Sequence, residues 1–101
     1  MLDKINLINK GLEKKFGKED PFRIMTRLLE ECGELAQQVN HFEGSGLKQL
    51  KMGEPNKQKL AKEVQDVIRC VMQIVDHYQL QKELKESIDK SIKELGDEKL
   101  L

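Results

Sequence analysis

Apolar side chains recur along this chain at intervals of three and four residues, the spacing that lines one face of an α-helix. They fall into four runs. In the first, Ile5, Ile8, Leu12 and Phe16 share a side of a helix expected over about residues 3–16, with Asp3 as its cap and Gly17 as its stop. The second begins at Asp20-Pro21, a capping carboxylate followed by proline at the first helical position, and is expected to reach about residue 42. Its stripe is Met25, Leu28, Leu29, Cys32, Leu35, Ala36, Val39 and Phe42. Glu43-Gly44-Ser45-Gly46 ends it, and a short helical turn over Leu47 to Met52 is compatible with the pattern. Asn56 caps a third helix over about 57–79, with Leu60, Val64, Val67, Ile68, Val71, Ile74, Val75 and Tyr78 as its stripe. A more polar fourth, over about 82–95, carries Leu84, Ile88, Ile92 and Leu95, and Gly96 stands at its end.

The fold class implied is all-α: a single-domain four-helix bundle with the two strongly apolar helices as its central antiparallel pair and the other two packed outside. With 101 residues the core is thin, so burial of the stripe against a second copy is expected, as a homodimer or homotetramer.

Composition narrows the function classes. Charged residues make up 36 % of the chain, yet 18 basic and 18 acidic residues cancel. A nucleic-acid partner gripped through phosphates calls for a basic excess, so none is expected. No apolar run approaches the roughly 18 residues needed to span a bilayer. Met1-Leu2-Asp3-Lys4 lacks the apolar core of a signal peptide, and a cytoplasmic location is expected. Cys32 and Cys70 are too few for a disulfide scaffold and read as small apolar fillers.

The chemistry lies in acids embedded in the two central helices. Glu30-Glu31-Cys32-Gly33-Glu34 belongs to the second, Glu63-Val64-Gln65-Asp66 to the third. At about 100° per residue, acids three apart share a face one turn up. Measured from Glu31, the apolar stripe covers roughly 20° to 160° and Glu34 sits near about 300°. Glu63 and Asp66 repeat those offsets, so packed stripes would turn both pairs toward one cleft at the bundle margin. Converging carboxylates repel unless a cation joins them, and oxygen donors suit a hard divalent ion, Mg²⁺ first and Mn²⁺ second. No His stands three residues beyond an acid, which speaks against a Glu-x-x-His di-iron site.

Glu-Glu-x-x-Glu, then the 28 residues 35–62, then Glu-x-x-Asp resembles the signature of the MazG-type nucleoside triphosphate pyrophosphohydrolases. The flanking text, Arg27-Leu28-Leu29-Glu30-Glu31-Cys32-Gly33-Glu34-Leu35-Ala36 and Glu63-Val64-Gln65-Asp66-Val67-Ile68, is similar to that family too, over about residues 22–80. The resemblance implies Mg²⁺-dependent hydrolysis of a nucleoside triphosphate to monophosphate and pyrophosphate. It implies metal ligation by Glu31, Glu34, Glu63 and Asp66, with Glu30 as an outer ligand or base, and sites built from helices of more than one subunit. Many relatives carry an Asn with lysines in the last helix. Here Asp89-Lys90-Ser91-Ile92-Lys93-Glu94 has Glu94 in its place, leaving Lys90 and Lys93 as phosphate contacts.

Other residues admit two readings. Arg27 and Lys59, one turn before Glu31 and Glu63, meet substrate phosphates or form ordinary i, i+4 ion pairs. Asn40 and His41 contact a base or cap the loop; Lys48, Lys51 and Lys57 close over phosphates or stay solvated; His77 lies too far along its helix to be a ligand. Two rival functions stay open: a relative such as a phosphoribosyl-ATP, dUTP or dCTP pyrophosphohydrolase, and a non-catalytic helical module that binds or regulates a partner.

Overall fold

A computed structural model describes residues 1–44 and 53–101, and these form four helices: α1 (Leu2–Phe16), α2 (Pro21–Phe42), α3 (Lys57–His77) and α4 (Gln81–Asp97). The described residues contain no strand, and the fold is an all-α bundle. The expected turn over Leu47 to Met52, with Lys48 and Lys51, lies outside the described residues.

Local chemistry sets the helix ends as expected in three places. Gly17, at φ 88°, leaves α1 through a conformation that costs glycine little. The Asp20 carboxylate accepts from the Arg23 amide at 2.9 Å ahead of Pro21. The Asn56 side chain accepts from Gln58 and Lys59 at 2.8 and 3.2 Å. Three boundaries differ. Asp3 is no cap: α1 starts at Leu2, and Asp3 lies in its first turn, where its charge complements the helix dipole. The third helix stops at His77, because Gln79 takes the left-handed conformation (φ 53°) and the Leu80 amide bonds back to the Val75 carbonyl at 2.9 Å. The fourth runs through Gly96 to Asp97, and a similar reversal at Lys99 (φ 60°) closes it.

Helices α2 and α3 make the principal pairing, and α1 packs on α3. The pair is antiparallel: His41, near the end of α2, meets Gly53 just before α3, whereas Ile24 and Arg27 share a cavity wall with Gln73 and His77. The face α2 turns inward is not its apolar stripe. It runs through Ile24, Leu28, Glu31, Leu35, Gln38 and Phe42, all buried or half-buried. Relative to the stripe this face is rotated about 80° toward Glu31, at about 100° per residue. Met25, Leu29, Cys32, Ala36 and Val39 are left exposed, as are Val64 and Val71 of α3. Cys32 is therefore a surface thiol, contrary to expectation, while Cys70 is fully buried.

The outer helices depart from the expected wrapping as well. On α1, Ile5 is buried and Leu12 half-buried, but Ile8 and Phe16 are exposed. The α4 stripe of Leu84, Ile88, Ile92 and Leu95 is exposed throughout. Only its first turns approach the body, around a small apolar groove shared with Leu2, Met72 and Val75. Among the described residues the buried apolar side chains are just Ile5, Ile24, Cys70 and Val75, a meagre core for a free-standing chain. The radius of gyration is 17.1 Å, against about 13 Å for a compact domain of this length.

Candidate metal centre

The inward rotation of α2 carries Glu31 into the helix pair, opposite Glu63 and Asp66 of α3. One carboxylate oxygen from each of Glu31, Glu63 and Asp66 lies within 4.8 Å of the others, and all three side chains are half-buried. A cation with metal–oxygen distances of about 2.1 Å closes that span through small side-chain rotations. Glu34 is exposed but reaches both Glu31 and Glu63 in carboxyl–carboxyl contact. Three of the expected quartet thus come together between the helices, with Glu34 on their exposed side.

Burial pushes the Glu31 carboxyl above its ordinary range, and the charges of Glu34 and Asp66 add to this, with Arg69 opposing. Burial also raises Glu63, followed by its contact with Glu34. Oε2 of Glu31 and Oε2 of Glu63 are shut off from solvent with no hydrogen-bond partner. Orphaned buried oxygens of this kind cost stability unless something satisfies them. Hard oxygen donors with raised proton affinity, converging on a point, fit a divalent cation such as Mg²⁺. Lys62 approaches from outside, Nζ to Asp66 Oδ1 at 2.6 Å, but is itself well exposed. It is the turn-to-turn ion pair that the α3 acids form, where Lys59 was the expected neighbour.

A cavity of about 460 Å³ lies between α1, the start of α2 and the end of α3; none of the four acids lines it, and Arg69, whose charge acts on Glu31, is the link between the two. Arg27, Arg69, Asn9, Phe16, Gln73 and His77 are among its walls. Gln73, His77 and Glu19 line it, and one atom of each (Oε1, Nδ1 and Oε2) is buried without a hydrogen-bond partner. Arg27 is paired with Glu19 rather than with Glu31.

Several expected residues stand apart from the centre. Glu30 is exposed and is not among the groups acting on Glu31 or Glu63. Lys90 and Lys93 are exposed on α4, neither lining the cavity nor pairing with an acid of the centre; Lys93 is held by Asp97 at 3.0 Å. Lys57 and Lys59 are exposed in the first turn of α3. His41 takes the capping role: it is buried, and Nε2 lies 2.6 Å from the Gly53 carbonyl, tying the end of α2 to the start of α3. Asn9 and Arg69 were missed by the sequence reading. They meet across 60 positions of chain, and the one available hint was a polar residue at each place within an otherwise apolar helical context.

No described helix is long and apolar enough to cross a membrane. Compared with known proteins, the chain matches no family model, no curated protein and no solved structure, so the likeness to MazG-type enzymes rests on the motif residues themselves.

Proposed function

We propose that this chain is a Mg²⁺-dependent nucleoside triphosphate pyrophosphohydrolase, cleaving the α–β phosphoanhydride to give a monophosphate and pyrophosphate. The observation that carries the reading is the convergence of Glu31, Glu63 and Asp66, two of them with orphaned buried oxygens. Glu31, Glu63 and Asp66 would hold the cation, with Glu34 completing the set from the solvent side. Bound there, Mg²⁺ supplies charge neutralisation to the triphosphate and polarises the attacked phosphorus.

The protein's own groups do the rest. Glu34, exposed yet in contact with both inner glutamates, is placed to orient a water and accept its proton. Gln73 and His77, which line the cavity, are polar side chains able to meet the hydroxyl or amino groups of a nucleoside. The exposed outer faces of α2, α3 and α4 support a further element, assembly with a second copy. Near-zero net charge lets identical chains meet without repulsion.

A panel of canonical and modified NTPs and dNTPs, including dUTP, dCTP and phosphoribosyl-ATP, tests the reading. Pyrophosphate release that needs Mg²⁺ and stops in EDTA is the expected result, and the ranking of the panel names the substrate. A folded, metal-loaded chain that releases pyrophosphate from none of them would instead be a non-catalytic helical module.

A further inference from the structure

Arg69 is the most deeply buried charged side chain described, at 8 % exposure. Its polar partners come from a single neutral residue: Nη1 donates to Asn9 Oδ1 at 3.2 Å, and the Asn9 amide donates to the Arg69 carbonyl at 3.0 Å. Among the described residues no carboxylate stands within ion-pair distance of the guanidinium, whereas Arg27 nearby is matched by Glu19. A guanidinium does not shed its proton in a protein, and a buried charge without a counter-ion is strongly unfavourable. Asn9 satisfies part of the donor fork, and Glu31, whose carboxyl feels the charge, lies beyond ion-pair distance.

The location supplies a use. Arg69 lines the same cavity as Arg27, and its charge is felt at Glu31. The ionic lining of that cavity is four basic and three acidic side chains, so it carries a net positive charge before any ligand enters. A planar donor fork fixed from one side and free on the other is suited to two oxygens of one phosphate.

We propose that Arg69, held in place by Asn9, is a phosphate-binding residue whose guanidinium receives an oxyanion of the substrate in this cavity. The choice of a phosphate rests on the nucleotide reading above; the choice of an anion rests on the burial of Arg69, its place in the cavity wall and the net positive lining there. The site separates binding of the anionic group from the metal centre, so it is measurable without metal.

Calorimetric titration of the chain in EDTA with inorganic pyrophosphate, and in parallel with a nucleoside triphosphate, is the test. Saturable binding to the wild type is expected. Tighter binding of the triphosphate makes substrate the occupant, and tighter binding of pyrophosphate makes it the product. Arg69→Gln should weaken binding at least tenfold, and Arg69→Lys, which keeps the charge but not the fork, by less. Because Arg69 is buried, Asn9→Asp serves as the second variant. It is nearly isosteric and places the missing counter-ion on the guanidinium, so it should raise the melting temperature while abolishing anion binding. Anion binding that depends on Arg69 in a chain that hydrolyses no nucleotide would support this site and remove the reaction from it. No saturable binding to the folded wild type, or equal binding by Arg69→Gln and Asn9→Asp, would overturn the proposal.

Discussion

Glu31 and Glu63 are costly residues to place between two helices, and that cost makes a prediction about pH. Both carboxyls are raised from an ordinary value of 4.5, chiefly by burial and then by neighbouring acids. The native state therefore holds protons that the unfolded chain releases. That contribution is fully present below the ordinary value and is lost as pH rises through the raised one. In EDTA, the melting temperature should fall as pH rises above the ordinary value of 4.5. Saturating Mg²⁺, which binds the deprotonated acids, should flatten that decline by stabilising the high-pH end. Equal slopes with and without the metal, in scans of melting temperature against pH, would count against a metal centre at these residues. At this scale the sequence was informative about which acids gather, because acids spaced three apart share a helix face wherever the helix goes. It could not show Asn9 and Arg69 meeting, since nothing local links two polar residues that come together only through the packing of α1 on α3.

Helix ends follow rules written in a few neighbouring residues, which is why Asp20-Pro21, Asn56 and Gly17 were readable in advance. The end of α3 was not. Gln79 occupies the left-handed region at φ 53°, where a side chain is disfavoured, to let Leu80 bond back to Val75. Gln79→Gly should relieve this and raise stability by roughly 0.5–1 kcal/mol in chemical denaturation. A loss of stability would mean that the Gln79 side chain has a role that its backbone conformation conceals. The rotation of α2 about its axis was also hidden. Its apolar residues span more than one face, and periodicity cannot say which part meets α3 and which part meets something else. The same rotation moves the acids from the bundle margin to the helix interface, so one unreadable angle decides the character of the site.

Ile24, at 3 % exposure, and Leu29, at 69 %, are both large apolar residues of α2, yet one chain buries only the first. Together with the exposed stripe of α4 and the extended shape, this describes a protomer more than a finished molecule. The account predicts a dimer or tetramer by light scattering at micromolar concentrations. Leu29→Glu should shift the population to monomer and lower the melting temperature, because an isolated charge cannot be buried in an apolar interface. A wild type that is monomeric, with Leu29→Glu equally stable, would contradict this. Assembly would also bear on Lys90 and Lys93, which do not reach the acids within their own chain.

The central claim joins the acids, the cation and the reaction, and one measurement addresses all three: pyrophosphate release from the best nucleotide of the panel as Mg²⁺ is varied, for the wild type and for Glu63→Gln, both shown to be folded by circular dichroism. The account predicts saturable Mg²⁺ dependence in the wild type and a loss of at least about a hundredfold in the variant, consistent with removal of one ligand from a metal that carries the charge of the reaction. Release that is indifferent to Mg²⁺, or undiminished in folded Glu63→Gln, would contradict it.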